Sequence, residues 1–224
     1  MKKTIVLMLG LVLMGSAAFG LNMTFGGGMM FNHSVTKADA RLWYDEYYDY
    51  SRSVWVDEYM DAELSMSRNG FGGFIFFGFN QYTELNLGFL YKNPKKIEVS
   101  AEGTSVTLDV SSYLDGVAAL QVGLYLKYPF PVSDMLVLFP TGGVDAEFSL
   151  GGNDLGFEWW HDFWIRAGLG MDVFFNERTF LRAHFIYGVG IPFGGGITDI
   201  YGEESLDFKI SHGPLIKVGI GVMF

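Results

Sequence analysis

Four histidines invite the first test for chemistry: His33, His161, His184 and His212. Three of them lie near Ser34, Asp162 and Ser211, so the side chains of a nucleophilic hydrolase are all present in the chain. Such a triad is assembled by geometry rather than by neighbouring positions, and no serine here sits in a recognisable nucleophile setting. The expectation is therefore no enzyme and no catalytic residue. The absence of cysteine excludes thiolate metal sites and disulfides. Carboxylates crowd the stretch KADARLWYDEYYDYSRSVWVDEYMDAELS, and carboxylates suit hard cations. Their spacing matches no cation-loop pattern, so a solvated acidic surface is the preferred reading, ahead of adhesion or host contact. No metal and no cofactor is expected.

A second set of charges is more informative, because each member sits within an apolar, alternating segment. Glu84 lies in TELNLGFLY, Lys127 in VAALQVGLYLKY, Asp172 in DFWIRAGLGMDVFF and Arg182 in TFLRAHFIYGVG. Side chains alternate faces along a strand. In the third of these segments Phe163, Ile165, Ala167, Leu169, Met171, Val173 and Phe175 share one face. Trp164, Arg166, Gly168, Gly170, Asp172 and Phe174 share the other. In each of these four segments the charge falls opposite the apolar face.

The elements that carry these charges form a regular series. Period-two segments fall at about 23–31, 70–80, 83–91, 117–128, 135–149, 162–175 and 179–190, with a last one closing the chain as IKVGIGVMF. The connections between these eight strands alternate long and short. That asymmetry matches transmembrane barrels, with short turns at one end and long loops at the other. A soluble sandwich carries loops of mixed length at both ends. A soluble barrel such as a lipocalin would need a wet outer face. Here the non-apolar faces carry mostly glycine, with one or two charges per strand. Phe79, Tyr128, Phe175 and Phe224 fall near turn-side strand ends, and Phe31, Tyr91 and Phe163 near loop-side ends, as two interfacial belts.

Bulk composition agrees. The chain of 224 residues is 50% hydrophobic, 17% aromatic and only 18% charged. With 25 acidic against 15 basic residues it is a poor match for nucleic acid. The opening MKKTIVLMLGLVLMGSAAFG has the charged, apolar and small-residue regions of a secretory signal, with cleavage expected after Gly20. The domain reading is a signal peptide over 1–20 and one outer-membrane β-barrel domain over 21–224.

On the signal segment, the eight alternating strands and Phe224, the chain resembles the small eight-stranded outer-membrane proteins. These include the OmpA-domain, OmpX, opacity-type and OmpW-type barrels. The resemblance covers the whole mature chain and rests on pattern, without a diagnostic motif. It implies that the final strand, ending in Phe224, is read by the barrel assembly machinery. Some similar barrels are lipid A acylases or deacylases with Ser and His at the outer rim.

The expected fold is thus an all-β, eight-stranded antiparallel up-and-down transmembrane barrel, in the bacterial outer membrane, with the bilayer as its first partner. A lumen this narrow is filled by side chains, so a general aqueous porin is not expected. Glu84, Lys127, Asp172 and Arg182 fall toward the turn side as an ion-pair plug. With Ile75, Phe77 and Phe79 facing lipid, the residues Phe74, Phe76, Leu90, Trp164 and Ile186 fall nearer the loop side as an apolar mouth. That arrangement resembles OmpW-type proteins and implies a narrow channel for small hydrophobic solutes. The alternative is a structural or adhesive surface protein acting through its extracellular loops.

Overall fold

The computed structural model describes residues 23–49, 54–101, 103–112, 115–150, 161–193 and 206–224, with side chains at all of these except 41–49, 54–59 and 206–208. The signal segment lies outside the described residues. Ten strands form among them: β1 (Met23–Asp49), β2 (Val54–Phe79), β3 (Thr83–Ala101), β4 (Thr104–Asp109), β5 (Val117–Lys127), β6 (Phe130–Ser133), β7 (Leu136–Leu150), β8 (His161–Phe174), β9 (Thr179–Phe193) and β10 (Leu206–Met223). Eight of them close a ring in the order β2, β1, β10, β9, β8, β7, β5, β3, with β3 pairing back onto β2. Every junction in the ring is antiparallel. Following cross-strand partners from Gly26 through Phe76, Asn86, Gly123, Asp145, Trp164, Gly190 and Ser211 returns to β1 at Thr36. The circuit climbs ten residues along β1, the stagger that a closed barrel requires of tilted strands.

Polarity is inverted relative to a water-soluble domain. Leu169 and Ile165 are 67% and 63% exposed, whereas Glu84 and Asp145 are 0% exposed. Large apolar residues stand exposed on the outer faces of the ring strands, Ile75, Phe79, Leu120, Leu124, Phe163, Phe185, Ile216 and Ile220 among them. Phe31, Tyr91 and Phe163 mark the loop-side edge of this wall; Phe79, Tyr128, Phe175 and Phe224 mark the turn-side edge. An apolar wall around a charged interior is stable only where hydrocarbon is the outer solvent. The chain is therefore an integral β-barrel of the outer-membrane type.

The long connections differ from expectation. Residues 32–66 read as a polar loop, yet β1 and β2 continue through them as one hairpin paired out to Asp49 and Val54, with a register shift at Trp43/Asp45. Alternation of apolar residues ends at Phe31, but the backbone ladder does not need an apolar face to continue. The segment is rich in Tyr and carries Trp and Val, types that favour strands. A small hairpin forms in AEGTSVTL: β4 pairs with the end of β3, turning at Gly103, whose φ of 79° suits glycine. Beyond it the Ser111 hydroxyl and amide donate to Asp109 at 2.6 and 3.0 Å and hold its carboxyl below the usual range. The short connection PFPVSD contains β6, paired with β7. Two tight turns share one device. Asn80 Oδ1 accepts from the amides of Tyr82 and Thr83, and Asn176 Oδ1 from those of Arg178 and Thr179.

Candidate functional site

The lumen is the candidate site, and it is built from inward positions on all eight ring strands. At the turn side the structure brings Glu84, Lys127, Asp172 and Arg182 together. Arg182 donates through Nε and Nη2 to the two oxygens of Asp172 at 2.7 and 2.6 Å, a bidentate pair. Its Nη1 reaches Glu84, to which Lys127 also donates at 3.2 Å. Asn86 donates to the other Glu84 oxygen at 2.9 Å. The guanidinium lies 4.6 Å from the Phe76 ring centre and 4.7 Å from that of Phe180. Charge is thus enclosed by aromatic faces as well as by counter-charge.

A second and larger ionic network lies toward the loop side. Arg166 donates to Asp145 at 2.5 Å and to Glu147 at 3.0 Å. Tyr125 donates to Asp145 at 2.6 Å, and Gln121 to Glu147 at 3.2 Å. Lys92 pairs with Glu147 and lies 3.6 Å from Asp162, which Arg68 also approaches at 3.6 Å. Ser211 bridges Asp162 and Thr36 at 3.2 and 2.7 Å. Lys217, buried between the two networks, donates to Asn86 at 3.3 Å and sits over the Tyr125 ring at 4.6 Å. Sequence reading passed over Asp145 and Glu147, although their spacing of two in VDAEF places both on one strand face. Pro140, Gly142 and Gly143 obscured the alternation there.

The five apolar positions face inward but do not form an open mouth. Phe74 is 5% exposed, and Phe76, Leu90, Trp164 and Ile186 are 0%. Phe74, Phe76 and Leu90 pack with Met30, Ala119, Phe180 and Leu215 in one cluster. Trp164 instead stacks on Arg166, whose guanidinium carbon is 4.1 Å from its ring centre. Ile186 pairs with Gly168 and Leu215. Phe76, expected nearer the loop side, belongs to the Arg182 level, and the loop-side end of the lumen is charged. The reason is the stagger: height depends on position around the ring as well as along each strand. Inward glycines make room for the large groups. A Cβ on Gly190 would lie 2.8 Å from the Trp164 ring, and one on Gly188 2.7 Å from Arg166 Cγ.

The rim histidines do not meet the serines. His33 bonds Asn69 at 2.7 Å and His212 bonds Tyr187 at 2.8 Å, while Ser34 and Ser211 are buried on the lumen side. His161 lies between the rings of Phe148 and Phe193, and His184 is buried beside Phe139. No group of three or more His, Cys, Asp or Glu is placed to hold a metal ion among the described residues. Phe224 follows β10, its amide donating to the Met23 carbonyl at 2.9 Å.

Fold and lumen together define a narrow outer-membrane β-barrel with a filled, ion-paired interior. No protein-family model matches the chain, and no curated protein matches it in sequence. Among solved structures it is similar to the outer-membrane protein OprG from Pseudomonas aeruginosa, at 13% identity and TM-score 0.45, covering 91% of this chain and 96% of that one. It is also similar to the N-terminal barrel domain of Pseudomonas aeruginosa OprF, at 12% identity and TM-score 0.38, covering 89% and 99%. A third likeness is to Ail, the attachment invasion locus protein of Yersinia pestis, at 12% identity and TM-score 0.34, covering 88% and 99%. At these TM-scores the likenesses carry no argument; the assignment rests on the closed register and the inverted polarity.

Proposed function

We propose that this barrel is a closed membrane scaffold that acts through its extracellular strands, as a structural or adhesive surface protein. One observation supports this above others: paired charges fill the lumen at both the Glu84–Arg182 and the Glu147–Arg166 levels. Opening a water path would separate buried ions, and leaving one partner unpaired costs ~3–5 kcal/mol. By contrast, β1 and β2 continue 18 and 17 residues past the outer aromatic belt at Phe31 and Phe71, to Asp49 and Val54. Residues 41–61 concentrate Trp and Tyr, types enriched at contact surfaces, among Asp and Glu that keep the segment solvated. In the same reading residues 1–20 direct export, residues 21–224 form the barrel, and the assembly machinery engages β10 and Phe224.

The test replaces residues 41–61 with a two-residue turn and compares attachment of cells carrying each form, at matched surface level, to epithelial layers. Attachment should fall while heat-dependent gel mobility stays the same. Equal attachment by both forms and by cells lacking the protein would overturn the surface role. The second reading is a narrow path for small hydrophobic solutes. The mid-lumen apolar layer of Phe74, Phe76 and Leu90, with Ile186 and Trp164 nearby, supports it. Its signature is uptake of a small hydrophobic compound that depends on the protein, with removal of the hairpin tip leaving uptake unchanged.

A further inference from the structure

The outer wall carries a shallow groove, separate from the lumen and from the β1–β2 hairpin. It opens on the lipid-facing side of β1, β2, β3 and β5, with a volume of about 510 Å³. Its floor is the backbone at Gly28, Gly73 and Gly88, and Ile75, Phe89 and Leu120 stand around it. The cause is one missing side chain. Gly73 occupies an outward position whose cross-strand partners are Met29 on β1 and Phe89 on β3. Those two side chains are 59% and 50% exposed, so the row has a gap between two tall neighbours.

We propose that this groove seats one acyl chain of an outer-leaflet lipid. The groove is continuous with the apolar wall that contacts the bilayer, and no charged side chain lines it. Its depth assigns the leaflet. Outward positions on β2 run Phe79, Phe77, Ile75, Gly73 and Phe71 from the turn end, so Gly73 lies in the outer half of the wall. Two residues beyond Phe71, the row changes chemistry: His33, Asn69 and Asn93 are cross-strand partners, and His33 bonds Asn69 at 2.7 Å. A chain in the groove thus has hydrogen-bonding groups above it, where a lipid headgroup sits. Burial of the chain against Ile75, Phe89 and Leu120 replaces looser contact with neighbouring lipids, a gain in dispersion contacts.

Gly73 also supplies the test. A Cβ there would meet only the Gly28 carbonyl oxygen at 3.5 Å, ordinary contact, whereas a Cβ on Gly72 would lie 1.8 Å from the Phe89 oxygen. Gly73→Leu therefore fills the groove without disturbing the ladder. Wild-type and Gly73→Leu protein are folded into nanodiscs containing a phospholipid with a diazirine on one acyl chain, or a lipid A derivative so labelled. Photo-crosslinks are mapped by peptide. The wild type should label Ile75, Phe89 and Leu120 several-fold more than Ile165 and Leu169 on β8. Gly73→Leu should lose that excess while labelling on β8 and heat-dependent mobility stay unchanged. The lipid A arm should show the larger excess; an excess from phospholipid alone would overturn the leaflet assignment. Uniform labelling of the wild-type wall would overturn the seat itself, and that outcome does not depend on the variant folding. Displacement by a small apolar solute, with no dependence on lipid type, would make the occupant a solute and overturn the lipid assignment.

Discussion

At the scale of single residues, Arg182 is the most constrained group in the lumen. It neutralises Glu84 and Asp172 together while three aromatic rings enclose it. Arg182→Met would remove the ion pairs to both buried carboxylates and leave Glu84 paired with Lys127. Breaking a buried pair costs ~3–5 kcal/mol, so the midpoint of unfolding from bilayers should fall steeply. The double variant Arg182→Met with Glu84→Gln should lose less than the sum of the two single changes, because the two side chains interact directly. Gly190→Val tests steric fit instead of charge. It drives a side chain into the Trp164 ring and should cost ~1–3 kcal/mol in the same unfolding measurement.

At the scale of the element, each ring strand is a boundary between two solvents, and one position decides which it meets. β8 shows the contrast within neighbouring residues: Leu169 is 67% exposed to lipid, and Arg166 is 1% exposed in the lumen. Leu169→Arg puts a charge on the lipid face and should destabilise the barrel by ~2–4 kcal/mol, read from unfolding in vesicles. Outside the membrane the constraint vanishes. The hairpins β1–β2 and β3–β4 keep their backbone ladders while their outward rows turn polar, including the exposed pair Lys37–Glu63 at 2.6 Å. Such exposed pairs contribute little, so these hairpins are free to vary in surface chemistry.

At the scale of the whole molecule, closure of the eight-stranded ring removes the edge at which a sheet would begin to unfold or aggregate. The folded barrel should therefore migrate differently on a gel before and after boiling. Tight turns at Asn80 and Asn176 lie at one end of the ring and the long hairpins at the other. Tags placed near residues 50, 104, 155 and 203 should be reachable on intact cells, and tags near 81, 132 and 177 should not. Labelling of the second set alone would invert the barrel in the membrane.

Alternation along a strand is a local property, and it was enough to separate lipid-facing from lumen-facing residues. Phe163 to Phe175 and Leu85 to Tyr91 were legible for that reason, as were the inward charges Glu84, Lys127, Asp172 and Arg182. Length of connections, also local, gave the two ends. Three features were not local. The continuation of β1 and β2 past Phe31 and Phe71 depends on two strands pairing, which needs no apolar signal in either. The level of each inward residue depends on the ten-residue stagger around the ring, which is why Phe76 meets Arg182 and why Leu90 and Trp164 lie beneath Lys92 and Asp162. The wall groove depends on Gly73 falling between Met29 and Phe89, residues far apart in the chain. One strand carries the period of its own side chains; only closure of eight strands into a tilted ring decides which of those side chains share a level.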